Sequence, residues 1–187
     1  MVSCFSLNAF ESHSLADQSS SALMDRVDTK YLIDAAELNQ CLAELTAEYT
    51  VLEMNGCRGM AYDTLYFDTP GRQLYLDHHN GKLNRVKVRT RHYRATGERF
   101  LEVKVKTNKL RTSKQRMVLT GAEPDARILR HFLQEQLGLP ATRMLPALFV
   151  HYHRITLLSR TGHERVTVDT DICFEHSGEH QRIGLPG

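Results

Sequence analysis

The 187-residue sequence has no apolar run long enough to cross a bilayer. Its longest, Met144 to Val150, is broken by Pro146, whereas a membrane-spanning helix needs about 20 residues. No Lys or Arg precedes Arg26, so the start of the chain lacks the charged region of a secretory signal, and a cytoplasmic protein is expected. The four cysteines, Cys4, Cys41, Cys57 and Cys173, are widely spaced and form no CxxC pair. That argues against a zinc site or a redox motif and for reduced, structural thiols. No repeat of solenoid length is present. With 41% hydrophobic against 25% charged residues, the chain is neither disordered nor collagen-like and has the size of a single domain.

The formal net charge of +2 conceals a strong asymmetry. Residues 82–116 hold 13 Lys and Arg against two acids, Glu98 and Glu102, while the rest of the chain holds 11 basic and 20 acidic residues. A 35-residue segment with a net charge of +11 calls for a polyanionic partner: a phosphate chain, a nucleotide or a nucleic acid.

Residues 1–22 are Ser-rich and without periodicity, which predicts a mobile tail followed by one domain over residues 23–187. Arg26 to Ile33 alternates like a strand. Asp34 with Glu37 three residues later then predicts a capped helix carrying Leu38, Cys41, Leu42 and Leu45 on one face. A second helix is predicted from Pro124 near its first turn, the stripe Ile128, Leu129, Phe132, Leu133, Leu137, and Gly138 as its stop. The remaining segments read as antiparallel strands: Tyr62 to Asp68, Arg85 to Tyr93, Phe100 to Lys106, Ser113 to Thr120, Val150 to Leu158 and Glu164 to Phe174. Two hairpins are expected, turning at Arg94 to Gly97 and at Ser159 to Gly162. The sum is an α+β domain of six or seven strands and two helices.

Successive side chains of a strand point to opposite sides. Arg85, Lys87, Arg89 and Arg91 therefore share one face while Val86, Val88 and Thr90 share the other. Glu102, Lys104 and Lys106 oppose Leu101, Val103 and Val105 in the same way, and Lys114 and Arg116 oppose Gln115 and Met117. Arg26, Asp28 and Lys30, and then Arg165, Thr167, Asp169 and Asp171, repeat the pattern. A solvated face explains any one such strand. Five of them dominated by cations call for another reason, because like charges opposite one another destabilise a sheet unless an anion lies between them. Curled into a barrel with these faces inward, the sheet becomes a basic tunnel whose few carboxylates suit a metal-bound polyphosphate, since Mg²⁺ or Mn²⁺ takes carboxylate and phosphate oxygens.

The series Arg26, Asp28, Lys30, Tyr31; Tyr66, Phe67, Asp68, Thr69; Arg89, Arg91, Tyr93; Glu102, Lys104; Lys114, Arg116; Pro146, Tyr152, Arg154; Arg165, Thr167, Asp169 resembles the VTC domain. This is the catalytic domain of the vacuolar transporter chaperone polyphosphate polymerase and its bacterial relatives, within the triphosphate tunnel metalloenzyme (CYTH-like) superfamily. The resemblance runs from about Arg26 to Phe174. It implies an antiparallel β-tunnel with flanking helices that binds ATP, triphosphate or polyphosphate together with Mn²⁺ or Mg²⁺. It further implies that the γ-phosphoryl group of ATP is transferred to a growing polyphosphate chain. Lys30, Arg89, Arg91, Lys104, Arg154 and Arg165 would contact phosphate and carry the catalysis, with Arg26, Lys87, Lys106, Lys114 and Arg116 extending the track. Phosphoryl transfer asks of a protein mainly positioning and charge neutralisation, so such a cage needs no nucleophilic side chain and no GxxxxGK[ST] loop.

Relatives place a metal-binding glutamate on a final strand, which the ending Gly184, Leu185, Pro186, Gly187 does not offer. The tunnel is accordingly expected to be incomplete at the C-terminus, and the metal falls to Glu102, with Asp28 and Asp169, rather than to Glu175 or Glu179. The same cage would support a triphosphatase or NTPase, or a non-catalytic sensor of polyphosphate or inositol phosphate. Nucleic acid is disfavoured as a partner, because His92, Tyr93 and Phe100 are the only stacking residues in the basic segment. His151 and His153 share a strand face and read as an exposed pair before a metal chelate; His78 and His79 read as a turn. Tyr66, Tyr93 and Tyr152 read as core before base-stacking groups, and Asp68 is as well suited to capping the turn at Thr69 as to binding a ligand.

Overall fold

The computed structural model describes residues 7–18, 28–108, 112–121, 123–137, 143–176 and 182–184. Among these are nine strands: β1 (Ser12–His13), β2 (Tyr49–Leu52), β3 (Gly59–Asp68), β4 (Arg85–Tyr93), β5 (Arg99–Lys106), β6 (Thr112–Val118), β7 (Leu145–Ser159), β8 (Arg165–His176) and β9 (Arg182–Gly184). Three helices accompany them: α1 (Ala35–Leu45), α2 (Gln73–His79) and α3 (Ala126–Leu137). The strands hydrogen-bond in the order β1-β2-β7-β3-β4-β5-β6, with β8 on β7 and β9 on β8. Every pair with a defined register is antiparallel except β1 with β2. The fold is α+β, as expected, with more elements than the alternation alone revealed.

The chain divides into two compact units, one of Met1–Ala61, Tyr152–Ile172 and Gly184–Gly187, the other of Tyr62–His151 and Cys173–Ile183. In the first, the box at the start of α1 forms as the sequence predicts: Asp34 Oδ1 accepts the Glu37 backbone N–H at 2.8 Å and Glu37 Oε2 accepts that of Asp34 at 3.4 Å. Leu38 and Leu42 then bury one face of α1 against Phe10, Tyr49, Val51 and Leu157. Phe10 is 2% exposed, and Ser12 and His13 pair with Val51 and Leu52. Residues 7–18 are therefore held in place where a mobile tail was expected. A single buried ring and a two-residue strand anchor them, too little to show as periodicity.

The strand expected over Arg26 to Ile33 is a second difference. Residues 28–33 form no strand, and Tyr31 and Leu32 are 84% and 90% exposed. Alternation states only which sides the side chains would take; the backbone N–H and C=O groups still need a partner strand, and among the described residues no strand pairs with residues 28–33. Arg26 lies outside the described residues.

In the second unit the alternation of β4, β5 and β6 sorts the two faces of the sheet. Val88, Leu101 and Val103, with Leu65 and Phe67 of β3, turn to one side and bury against Leu129, Phe132 and Leu133 of α3. Each such side chain contributes about 1.5–3 kcal/mol when removed from water. Asp125 starts α3, its Oδ1 accepting the N–H groups of Arg127 and Ile128 at 2.8 Å each. Pro124 lies two positions before the helix, near its first turn as the sequence suggests, and Gly138 lies outside the described residues.

α2 takes in His78 and His79, where the sequence suggests a turn. Its cause is Asp68, a buried carboxylate at the end of β3. Asp68 Oδ1 accepts from Thr69 N at 2.7 Å and Leu74 N at 2.8 Å, and Oδ2 from Tyr75 N at 2.9 Å. Asp68 is therefore a cap and not a ligand group. Asp68→Ala is expected to lower stability by about 3 kcal/mol, because three donors lose a charged acceptor. Chemical denaturation measures this, and an unchanged midpoint would contradict the capping role.

Candidate functional site

The face of the second unit's sheet opposite α3 is a ladder of polar rungs. Arg85 of β4, Lys106 of β5 and Thr112 of β6 make the first, and Lys87, Lys104 and Lys114 the second. Tyr66 of β3, Arg89, Glu102 and Arg116 make the third; Thr64, Arg91, Phe100 and Val118 the fourth. Tyr62 and Tyr93 close the series. Eight of the cations and acids singled out in the sequence therefore come together: Lys87, Arg89, Arg91, Glu102, Lys104, Lys106, Lys114 and Arg116.

Three lysines stand directly opposite one another in the second rung, an arrangement that opposes folding unless an anion neutralises it. The next rung supplies one counter-charge. Glu102 is only 2% exposed, and its Oε2 lies 2.8 Å from Arg89 Nε and 2.7 Å from Arg89 Nη2. Lys114 Nζ is 2.5 Å from Oε1. Burial pushes the Glu102 carboxyl up, but the charges of Arg89 and Lys114 outweigh it and hold the group below the ordinary carboxylate range. Arg89 also donates to Tyr66 Oη at 3.3 Å, so its guanidinium is fixed from two sides. Lys87, Arg89, Glu102, Lys104 and Lys114 line a recess of about 30 Å³, room for about one water molecule. A larger recess of about 350 Å³ lies on α1, where Glu37 and Glu44 supply acids and no cation; it does not suit phosphate.

Arg91 differs from Arg89. It is 9% exposed, its guanidinium lies 5.5 Å from the Tyr62 ring centre, and its Nε is buried without a hydrogen-bond partner. No carboxylate among the described residues pairs with it. Behind it Tyr62, Tyr93 and Phe100 meet edge to face, with ring centres 5.1 and 5.6 Å apart. Arg116 stacks over Phe100 at 4.8 Å. The tyrosines of this face support cations.

The first unit holds the other candidates. Arg154 makes a two-pronged pair with Asp169, Nε to Oδ1 at 2.6 Å and Nη2 to Oδ2 at 2.7 Å, and lies 5.2 Å from the Tyr152 ring centre. Arg165 is exposed on β8, and Lys30 and Asp28 sit in the exposed stretch before α1. The structure thus does not set Lys30 and Asp28 on a strand.

The expected metal set does not fit the residues as placed. Among the described residues no three His, Cys, Asp or Glu side chains gather to hold a metal ion. Glu102 is taken by Arg89 and Lys114, Asp169 by Arg154, and Asp28 lies outside the sheet. β9, unforeseen in the sequence, adds Arg182, Ile183 and Gly184 and no carboxylate. His151 and His153 do not act as a chelating pair either: His151 Nδ1 meets Asp63 Oδ1 at 2.7 Å, and His153 Nδ1 meets Asp171 Oδ2 at 3.3 Å.

Tyr62 and Thr64 are ladder residues that the sequence reading did not single out for the site. Their signal was the alternation of Tyr62, Thr64 and Tyr66, which puts all three on the face of Arg89 and Arg91 once β3 pairs with β4.

Fold and site define an α+β protein whose antiparallel strands carry an apolar face under a helix and a cation-rich face on the other side. The sequence matches the VTC domain family over residues 25–185, and the chain belongs to that family. Among solved structures it is similar to a protein from Hippeastrum, described as the putative adenylyl cyclase HpAC1 with a dominant triphosphatase activity. The two share 13% identity with a TM-score of 0.47, over 77% of this chain and 70% of that one. No curated protein matches the sequence.

Proposed function

We infer that the chain is a phosphate-chain-binding domain of the polyphosphate polymerase type, moving the γ-phosphoryl group of ATP to a polyphosphate chain. The observation that carries this is Arg91, a buried guanidinium with no carboxylate partner among the described residues, at the head of a ladder that continues through Arg89, Lys87, Lys104 and Lys114. An isolated buried cation is expensive, and a phosphate oxygen is the partner that its position beside further cations favours. Membership of the VTC domain family supports phosphoryl transfer as the reaction. The cations then act by binding the phosphate oxygens, aligning the groups that react and neutralising the charge that spreads over the transferred group.

The test is incubation of the chain with ATP and Mn²⁺ or Mg²⁺, with the products resolved by gel and ³¹P NMR. Long phosphate chains are the expected result. Orthophosphate as the sole product would replace the polymerase by a triphosphatase. Tight tripolyphosphate binding without turnover would leave a binding module.

A further inference from the structure

We propose that Thr64 is a phosphate-binding residue which, with Arg91, forms a corner that receives the terminal group of a linear phosphate chain. This rests on the phosphate-binding reading above and deepens it. Thr64 stands directly opposite Arg91 across the β3–β4 pair, so both side chains rise from the same face. Thr64 is 1% exposed, and its Oγ1, like Arg91 Nε, is buried without a hydrogen-bond partner. Two neighbouring donors left unsatisfied in a buried site are unusual in a folded protein, where nearly all buried polar groups are paired. One acceptor can serve both. An anionic oxygen takes a hydrogen bond from the Thr64 hydroxyl and another from the Arg91 guanidinium, and the low local dielectric strengthens each.

The neighbouring rungs identify that oxygen's place in the ligand. On one side come Arg89 with Glu102 and then the three lysines Lys87, Lys104 and Lys114. On the other come Tyr62 and Tyr93, which meet edge to face, Tyr93 in turn meeting Phe100 edge to face. The track of cations therefore stops at Arg91 against a wall of rings. A phosphate chain lying on it ends at Thr64 and Arg91 and leaves past Lys87 toward Arg85 and Lys106. Substrates with a free terminal phosphate fit this arrangement, and cyclic phosphates do not.

The experiment compares wild type with Thr64→Val and Thr64→Ser, using linear tripolyphosphate and cyclic trimetaphosphate as probes in isothermal titration calorimetry, with thermal unfolding alongside. Thr64→Val is expected to weaken tripolyphosphate binding about tenfold, the loss of one hydrogen bond to a charged group. Its trimetaphosphate binding should stay as in wild type, and Thr64→Ser should restore the linear ligand. The melting temperature of Thr64→Val should hold or rise, because a methyl replaces a hydroxyl that has no partner in the free protein. Unchanged tripolyphosphate affinity in Thr64→Val overturns the contact, and an equal loss for both probes overturns the terminal assignment. Failure of the wild type to bind either phosphate would overturn the phosphate-binding reading itself, a result distinct from both.

Discussion

Replacing Arg89 by Met is expected to destabilise the protein by about 3–5 kcal/mol, the loss that follows when one member of a buried ion pair is removed and the other stays behind. The group left behind is Glu102, 2% exposed, whose remaining ion-pair partner among the described residues is Lys114, with a side chain 45% exposed. Solvent screens Lys114, so it replaces little of what Arg89 supplied from two nitrogens at 2.8 and 2.7 Å. The double variant Arg89→Met, Glu102→Leu should recover most of the loss, because an apolar pair of similar volume needs no counter-charge. Urea unfolding of the three proteins measures the cycle. Equal stability of wild type and Arg89→Met would show that the pair contributes nothing.

The pH dependence follows from the same pair. The folded-state pKa of Glu102 is lowered, its burial being outweighed by Arg89 and Lys114. A carboxyl lowered on folding binds its proton more readily in the unfolded chain. Its contribution is therefore fully present above the unfolded value of about 4.3 and is lost as pH falls through the folded value. Wild type and Glu102→Gln should consequently differ most in stability near neutral pH and converge in acid.

The sequence made the second unit's sheet legible and hid part of the first unit. In β4, β5 and β6 one face is apolar or small except at His92, Arg99 and Gln115, and most residues of the other are charged, so period two was plain. α1 announced itself through Asp34 and Glu37, and α3 through its apolar stripe. β1 and β2 span two and four residues, too short for any period, and are made by what they pair with. α2 depends on a carboxylate at the end of the preceding strand, information that lies outside the helix itself. The stretch before α1 shows the reverse error, a good pattern with no strand to pair with among the described residues. At the site, alternation placed the cations on one face but could not say which are neutralised. Glu102 reads in sequence as a metal ligand because an acid among cations invites that role. Its register opposite Arg89 and its closeness to Lys114 make it their counter-ion.

Arg91→Met should act in the opposite sense to Arg89→Met, although the two residues are neighbours on one face of one strand. Arg91 has no carboxylate among the described residues to leave behind; what it gives the free protein is its contact with the Tyr62 ring, worth about 0.5–2 kcal/mol. Against that stands the desolvation of a guanidinium 9% exposed, whose Nε has no acceptor. The balance predicts a stability equal to or above that of wild type. Tripolyphosphate affinity, in contrast, should fall on the order of 100-fold, the effect of removing one member of a buried charge pair formed with the ligand. Arg91→Lys should not restore it, since an ammonium reproduces neither the planar fork nor the position of Nε. Calorimetric titration with tripolyphosphate, set beside urea unfolding of the same proteins, separates the two effects. A protein that loses stability but keeps its affinity would make Arg91 a structural residue, its charge tolerated through Tyr62 alone. A stable protein that no longer binds would show that the cost of burying an unpaired cation is met by the ligand and not by the fold.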